Sequence, residues 1–307
     1  MFRGRRMTVF HLGVNNCFAV KRWPLPEDWA EICSKELEVD LVQFSFDLMD
    51  PRTTEPALSE MIAQTTDALR ETGLTVHSTF TGLAAYSSNL LTHPNPGMRM
   101  DALDWYARAI RVTKRLGVKV TGGHVAAQSY PDYMSPERRV YLEGVLTENL
   151  QYLSSLAAHE GLEMLLWEPM PLLREPPCTI ADSKRLLKRV NEGSGVPIKL
   201  TIDTGHQCTA GVGERDNDVY AWLRELAPES PVIHIQQTDG KGDRHWPFTK
   251  RCNDIGIIRP NDVINAVERS KAKEVYLMLE IIHPFEAKES EVLEDLKVSV
   301  KYWEDYI

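Results

Sequence analysis

The stretch Ile198-Lys-Leu-Thr-Ile-Asp-Thr-Gly-His206 is a short β-prone apolar run that ends in residues able to bind a metal or move a proton. Two further runs share this design, since residues 163–167 lead into Glu168 and residues 275–279 lead into Glu280. Short runs of apolar and β-branched residues are typical of buried strands. The sequence therefore predicts strands whose carboxyl ends carry polar side chains.

Eight such runs alternate with longer amphipathic segments along the chain. The predicted strands are residues 8–14, 41–46, 75–80, 119–124, 163–167, 198–202, 232–236 and 275–279. The predicted helices include residues 102–116, 136–159, 180–190 and 260–271. Ser135 followed by Pro136 is typical of a helix start, and Gly73, Gly117 and Gly161 stand where helices end.

Eight strand–helix repeats in a chain of 307 residues predict a (β/α)8 TIM barrel, the α/β fold in which every strand is followed by a helix. The alternative is a doubly wound open sheet. Its nucleotide-binding form is not supported, because no G-x-G-x-x-G follows the first predicted strand. No linker or low-complexity tract divides the sequence, so we expect residues 1–307 to form a single barrel domain.

Composition narrows the class of protein further. Hydrophobic residues make up 43% of the chain and charged residues 26%, which is typical of a globular protein, and no run is long enough to span a membrane. The net charge of −9 argues against a nucleic acid partner. The five cysteines are scattered without a C-x-x-C pair, which favours reduced thiols. We therefore expect a cytoplasmic protein without a membrane partner.

The carboxyl ends of barrel strands carry the chemistry of this fold. Histidine and carboxylate residues gather at these predicted ends: His77, His124, Glu168, Asp203, His206, His234, Asp243, His245 and Glu280. Glu168 and Glu280 are the strongest candidates, because a charge after a buried apolar strand is costly unless it is paired or bound to a metal. Imidazole and carboxylate together suit Mn²⁺, Zn²⁺, Co²⁺ or Mg²⁺.

The chain resembles the xylose-isomerase-like superfamily of barrels, which contains sugar isomerases, ketose 3-epimerases and endonuclease IV. Three motifs carry the resemblance, namely Glu168-Pro, Asp203-Thr-Gly-His206 and the glutamate after the eighth strand. In the epimerase branch, Glu, Asp, His and Glu from four strand ends hold one divalent ion. The resemblance implies that Glu168, Asp203, His234 and Glu280 are those ligands.

Endonuclease IV, which the chain also resembles, binds three zinc ions. Its motifs match Asp203-Thr-Gly-His206, Asp243-Arg-His245, His77 and His124, so His77, His124, His206, Asp243 and His245 are candidates for a second or third ion or for substrate binding. The sequence departs from that family at Gly-Gly-His124-Val and at Ala210-Gly-Val-Gly213. A metallohydrolase that cleaves phosphodiesters at abasic sites is therefore the alternative function rather than the first.

The segments Leu12–Pro24, Gln43-Phe-Ser-Phe-Asp-Leu48 and Gly242-Asp-Arg-His-Trp-Pro-Phe248 resemble the erythrulose-phosphate epimerases and isomerases of tetritol catabolism. This resemblance implies a metal-dependent isomerase or epimerase of a small sugar or sugar phosphate. The superfamily also contains homo-oligomers, which makes a second copy of the chain an expected partner.

The expected chemistry is proton transfer through a cis-enediolate that a divalent ion stabilises, with Glu168 and Glu280 as the catalytic residues. Return of the proton to the same carbon gives epimerisation, whereas its return to the neighbouring carbon gives aldose–ketose isomerisation. Arg244 and His206 resemble substrate-binding positions. The candidates for phosphate or sugar contacts in the predicted loops are Lys21, Arg22, Arg174 and Trp246.

Overall fold

A closed barrel of eight parallel strands forms the centre of the molecule, with each strand hydrogen-bonded to its neighbours in chain order and β8 returning to β1. The computed structural model describes residues 8–307, so residues 1–7 of the expected domain lie outside the described residues. The strands are β1 (Val9–Asn15), β2 (Leu41–Ser45), β3 (Thr75–Phe80), β4 (Val120–Gly123), β5 (Met164–Trp167), β6 (Ile198–Asp203), β7 (Val232–Ile235) and β8 (Glu274–Leu279).

Helices cover the outside of the barrel and fill the loops that follow the strands. They are α1 (Pro26–Glu31), α2 (Ala57–Thr72), α3 (Leu83–Tyr86), α4 (Pro96–Arg115), α5 (Tyr130–Met134), α6 (Pro136–Glu160), α7 (Ile180–Asn191), α8 (Val219–Leu226), α9 (Lys250–Ile255), α10 (Pro260–Ser270) and α11 (Glu289–Glu304). Along residues 8–307, no helix is both long and apolar enough to cross a membrane.

The predicted (β/α)8 barrel is confirmed, and every predicted strand agrees with the observed one to within one residue at each end. Ser135 caps α6 as expected, since its side chain accepts a hydrogen bond from the backbone N–H of Arg138. The helix predicted at residues 102–116 is longer than expected, because α4 already begins at Pro96 behind the capping side chain of Asn95.

Two apolar layers stabilise this arrangement. Phe80, Leu166, Val232 and Met278 fill the interior of the barrel, where side chains of β3, β5, β7 and β8 meet. A larger core lies between the strands and the surrounding helices and includes the fully buried Trp303 of α11. Because both faces of the strands are largely buried in apolar side chains, the ionisable groups of the candidate site lie at the rim where the strands end.

The longest paired register is at the seam between β1 and β8, where residues 9–14 pair in order with residues 274–279. Between β2 and β3 the register shifts between Val42 and Gln43. At the end of β4, Gly123 has a φ of 138°, and a Cβ atom there would lie 1.8 Å from Oγ1 of Thr81. Glycine at this position therefore allows the ends of β3 and β4 to approach closely, directly before His124.

Candidate metal centre and adjoining cavity

Four buried side chains converge at the carboxyl ends of the last four strands: Glu168, Asp203, His234 and Glu280. Each offers one ligand atom, and these atoms all lie within 4.8 Å of one another. His234 Nδ1 is at the centre, 3.1 Å from Oε1 of Glu168, 3.0 Å from Oε2 of Glu280 and 3.8 Å from Oδ2 of Asp203. We call these residues the ligand quartet.

The electrostatics of the quartet fit a divalent cation. Oδ2 of Asp203 is buried and has no hydrogen-bond partner in the described structure, and burial raises the pKa of Asp203 to about 6. Burial disfavours the charged form of His234, yet the carboxylates of Glu280 and Glu168 raise its pKa to about 10. Three carboxylates without a lysine or arginine among them give the quartet an excess of negative charge, which a divalent ion would neutralise.

Hydrogen bonds from outside the quartet hold the outer oxygen of two carboxylates. Oδ1 of Asp203 accepts from the backbone N–H of Gly205 at 2.6 Å and from Nε2 of Gln236 at 2.9 Å. Oε1 of Glu280 accepts from Nδ2 of Asn15 at 2.9 Å. The second oxygen of each carboxylate is left facing His234, so the surrounding structure orients the quartet before any ion binds.

A second group of potential ligands, His206, Asp243 and His245, adjoins the quartet. Nδ1 of His206 lies 2.9 Å from the carbonyl oxygen of Pro169, and Nδ1 of His245 lies 3.1 Å from that of Glu280. Because carbonyl oxygens only accept hydrogen bonds, both Nδ1 atoms carry a proton, and both Nε2 atoms point toward Asp243 at 3.5 and 3.2 Å. We call these three residues the second group.

The second group is strongly coupled electrostatically. Burial lowers the pKa of His206, but the carboxylates of Asp203 and Asp243 raise it by more. Burial raises the pKa of Asp243, and the two histidines nevertheless hold it well below its usual range. The Asp243 hydrogen bond contributes to a raised pKa of about 9 for His245 despite burial. The arrangement therefore suits either an additional cation or protonated histidines that face an anionic substrate group.

A cavity of about 200 Å³ opens between the quartet and the second group. Its walls include Glu168 and Glu280 together with His206, Asp243 and Arg244. This volume fits a molecule of a few carbon atoms, since drug-sized ligands occupy cavities of about 300–1,000 Å³. Among the described residues that line the cavity, Arg244 is the one arginine or lysine.

His124 also lines the cavity, at the end of β4, and is buried. Its Nδ1 lies 3.1 Å from Oγ1 of Thr81, while Nε2 has no hydrogen-bond partner in the described structure. Burial lowers the pKa of His124 to about 4, which leaves the ring neutral at pH 7. The ring of Tyr86 packs edge-on against it with centroids 4.9 Å apart. His124 thus offers a neutral polar contact opposite the quartet.

Some of the residues predicted for the site lie outside the cavity. His77 is in the amino-terminal half of β3, and its ring contacts Tyr276 of β8 at 4.1 Å, beside His11 of β1. This aromatic cluster is at the opposite end of the barrel from Glu168 and Glu280. The structure therefore does not bring His77 to the metal centre, because His77 lies three residues before the carboxyl end of β3, a rise of about 10 Å along the strand.

The cations proposed as phosphate anchors do not line the cavity either. The Arg22 guanidinium donates to the carbonyl oxygens of Pro284 at 2.6 Å and Ala287 at 2.8 Å, which ties the loop after β1 to the loop after β8. Lys21 lies with Nζ 4.4 Å from the ring centroid of Phe285. These two side chains are thus engaged within the protein.

Arg174 and Trp246 have similar structural contacts. Nη1 of Arg174 donates to the carbonyl oxygen of Gln128 at 2.7 Å and so links the loops after β4 and β5. The ring of Trp246 lies under the Arg244 guanidinium, with 5.4 Å between the guanidinium carbon and the ring centroid. Trp246 is therefore behind a cavity residue rather than in the cavity wall itself.

Sequence reasoning missed Asp47, which lines the cavity after β2. Its two carboxylate oxygens accept from the backbone N–H groups of Leu83 at 2.7 Å and Ala84 at 3.0 Å, at the start of the short helix that carries Tyr86. An acid that follows an apolar strand is the signal that identified Glu168, and applied to β2 it points to Asp47. Tyr86 itself has no comparable signal in the sequence.

Comparisons with known proteins agree with this architecture. The family model described as xylose isomerase-like TIM barrel matches residues 34–302. D-erythrulose 1-phosphate 3-epimerase of Brucella abortus (strain 2308) is 28% identical over 299 residues, which cover 96% of either chain.

Two solved structures extend the comparison. The crystal structure of a xylose isomerase candidate from Rhodospirillum rubrum ATCC 11170 is 32% identical, with a TM-score of 0.91 and coverage of 97% of this chain and 99% of that one. A D-psicose 3-epimerase from Clostridium cellulolyticum H10, solved with D-tagatose, is 14% identical with a TM-score of 0.72 and coverage of 96% and 99%. At this identity the second likeness concerns the fold.

Proposed function

Because the chain belongs to the xylose isomerase-like TIM barrel family, we propose that it is a divalent-metal-dependent epimerase or isomerase of a small ketose phosphate. The observation that supports the proposal most is the convergence of Glu168, Asp203, His234 and Glu280 on one point at the edge of a small cavity. The similarity to D-erythrulose 1-phosphate 3-epimerase, which extends over 96% of both chains, makes erythrulose phosphate the substrate to test first.

The quartet would hold the ion, since its three carboxylates and one imidazole suit Mn²⁺, Zn²⁺, Co²⁺ or Mg²⁺. When bound, a divalent ion polarises a carbonyl and an adjacent hydroxyl oxygen and thereby acidifies the carbon-bound hydrogen next to the carbonyl. One ion at the quartet is sufficient for this chemistry. The second group would accept an additional ion or orient the substrate directly.

Glu168 and Glu280 line the cavity and are the carboxylates that we assign to proton transfer. A carboxylate oxygen of one residue removes the hydrogen next to the carbonyl, and the other residue returns a proton. Return to the opposite face of the same carbon inverts that carbon, whereas return to the neighbouring carbon moves the carbonyl. Burial of both side chains keeps bulk water from the reacting carbon, so the carbon receives its proton from a glutamate, which exchanges that proton with solvent between turnovers.

We place the substrate's phosphate at the side of the cavity formed by Arg244 and the second group. His206 and His245 have raised pKa values there, so protonated rings are available to an anionic group. Arg244 is already paired with Asp239 at 3.1 Å, which leaves part of its guanidinium for a ligand. His124 and Tyr86 on the opposite wall would then contact hydroxyl groups of the sugar.

The alternative, an endonuclease IV-like metallohydrolase, has less support. A DNA-binding enzyme neutralises several phosphates and needs lysines and arginines around its site. The cavity is small, and the described residues that line it include one arginine and four carboxylates, namely Asp47, Glu168, Asp243 and Glu280. The second group remains the feature that the alternative would use.

The proposal is tested by incubating the Mn²⁺-loaded protein with erythrulose phosphates in deuterated water and following carbon-bound hydrogen by NMR. We expect exchange at the carbon next to the carbonyl, and its loss by at least about 10³-fold in Glu280→Gln and Glu168→Gln. Glu71→Gln, on the exposed side of α2, is the control and should exchange at the wild-type rate. The configuration and carbonyl position of the product distinguish epimerisation from isomerisation.

The opposite outcome is equally definite. If no ketose phosphate exchanges hydrogen while an oligonucleotide with an abasic site is cleaved, then the sugar assignment is wrong and the metallohydrolase takes its place. Absence of both activities in the metal-loaded protein would reject both functions.

A further inference from the structure

Gln43 of β2 is fully buried in the barrel interior, and its amide is hydrogen-bonded on both sides. Oε1 lies 2.6 Å from Nε2 of His234 and 2.9 Å from Nδ2 of Asn15. Nε2 of Gln43 donates to Oγ of Ser78 at 3.0 Å. A single amide oxygen thus lies between a residue of the ligand quartet and a second amide, that of Asn15.

Two neighbouring groups fix the orientation of the Asn15 amide, because one can only donate a hydrogen bond and the other can only accept one. Oδ1 of Asn15 is 2.9 Å from the backbone N–H of Cys17, which only donates. Nδ2 of Asn15 is 2.9 Å from Oε1 of Glu280, and a carboxylate oxygen accepts. The atom of Asn15 that faces Gln43 is therefore the nitrogen, a donor.

The orientation of Gln43 and the tautomer of His234 follow from this. Because Asn15 donates to Gln43, the atom of Gln43 that faces both partners must be the oxygen, an acceptor. The oxygen lacks a hydrogen, so the 2.6 Å contact to His234 requires a proton on Nε2 of the ring. When an ion replaces the Nδ1 proton, the neutral ring that remains carries its proton on Nε2 and its lone pair on Nδ1.

We propose that Gln43 and Asn15 are positioning residues that set the tautomer of His234 and make Nδ1 its metal-binding atom. Nδ1 is the nitrogen that faces Glu168, Asp203 and Glu280. The same Asn15 nitrogen holds Oε1 of Glu280, so one short chain of hydrogen bonds from the first two strands orients two ligands of the last two strands. The inference rests on the proposed metal site but not on the identity of the sugar.

The test uses zinc alone, without a sugar, and reads the ring nitrogens of His234 directly. In the ¹⁵N-labelled, Zn²⁺-loaded protein, two-bond ¹H–¹⁵N spectra should show a protonated Nε2 and a metal-shifted Nδ1 for His234. Coordination through Nε2 in the wild-type protein, or no zinc at His234, would overturn the proposal. This reading requires no variant, so it stands even where a substitution prevents folding.

Variants then test the role of Gln43. Gln43→Met keeps a side chain of similar length but removes the acceptor, and we expect zinc affinity by calorimetry to fall about 10–100-fold. Gln43→Glu retains an oxygen that accepts from His234 and should keep the Nδ1 pattern. Ser78→Ala is the control, because it removes the partner of the Gln43 nitrogen and a contact to Nδ1 of His77 but no partner of His234, and it should leave that pattern unchanged.

An unchanged zinc affinity and unchanged Nδ1 coordination in Gln43→Met would reject a role for Gln43. A loss of hydrogen exchange into erythrulose phosphate without any change in this zinc pattern would instead reject only the proposed sugar chemistry. The two ideas therefore fail in different measurements.

Discussion

Gln236 donates a hydrogen bond of 2.9 Å from Nε2 to Oδ1 of Asp203. The same nitrogen donates to Oδ1 of Asp243 at 2.6 Å. Its Oε1 accepts from the backbone N–H groups of Arg244 and His245. One side chain therefore connects the ligand quartet to the second group and fixes the loop that carries Asp243.

We expect Gln236→Leu to weaken cation binding by about 10–100-fold, because the Asp203 carboxylate loses one of its two external partners and the loop with Asp243 loses its anchor. Calorimetric titration with Mn²⁺ or Zn²⁺ measures the change. Gln237→Leu is the matched control, since Gln237 is equally buried but donates to Asn253 and to the Ile258 carbonyl. It should lower the melting temperature and leave cation affinity within about twofold; equal affinities in the two variants would contradict the prediction.

Because Oδ2 of Asp203 has no hydrogen-bond partner in the described structure, we expect Asp203→Asn to have opposite effects on thermal stability without and with a divalent ion. With a chelator present, Asp203→Asn should raise the melting temperature by a few degrees, about 1–2 kcal/mol, because it removes one of three clustered buried charges. With Mn²⁺ present, the same variant should lose the stabilisation that the ion gives the wild-type protein. Thermal unfolding in both buffers tests this, and a variant that Mn²⁺ stabilises as much as the wild type would show that Asp203 is not a ligand.

We expect substitution of Arg22 to lower the stability of the protein rather than its affinity for substrate. Its side chain is only 5% exposed and satisfies the carbonyl oxygens of Pro284 and Ala287. Arg22→Ala should lower the free energy of unfolding by about 2–4 kcal/mol, while KM for the sugar phosphate changes by less than about threefold. The exposed Lys21→Ala serves as comparison and should alter neither strongly. A large rise in KM at unchanged stability would return Arg22 to the role of phosphate anchor.

The cluster of His11, His77 and Tyr276 at the other end of the barrel predicts that stability depends on pH. Burial, helped by the neighbouring His11, lowers the pKa of His77 from 6.5 to about 4. As the pH falls below 6.5 the unfolded chain therefore takes up the proton first. The stability due to the neutral ring is fully present above pH 6.5 and is lost progressively toward pH 4, by up to about 3 kcal/mol.

His77→Phe keeps an aromatic ring against Tyr276 and removes the titrating group. Urea unfolding at pH 7.5 and pH 5, both with a chelator, should show a smaller loss of stability for this variant than for the wild-type protein. His159→Gln, which removes an exposed histidine outside the cluster, is the control. Identical losses in the His77 variant and the wild type would refute the assignment.

The fold was largely predictable because the strands of a parallel barrel are buried on both faces and so stand out as apolar runs. The helix at α4 was predicted too short, since Pro96-Gly-Met-Arg lacks an apolar periodicity and only the Asn95-Pro96 cap marks its start. Capping signals and apolar periodicity are independent indicators of a helix, and at α4 the cap indicated the correct first residue.

The candidate site was predictable to the extent that it depends on strand ends. Glu168 and Glu280 follow their strands directly, and the structure brings them together with Asp203 and His234. His77 did not follow this pattern, because it lies within the first half of its strand.

The positively charged loop residues show another limit of prediction from the sequence. Arg22 and Arg174 were expected near the substrate because they follow strands. Their guanidinium groups instead bind carbonyl oxygens of neighbouring loops. Sequence gives the charge of a loop residue but not whether the loop folds back on its neighbour, since that depends on long-range packing.

The seam between β1 and β8 has a consequence for how the protein is made. Asn15 binds Glu280 across 265 positions of sequence, and Gln43 binds His234 across 191. During synthesis on the ribosome the first two strands are complete long before their partners emerge. The ring closes last, so a nascent chain lacks the complete ligand quartet until β8 and Glu280 have emerged.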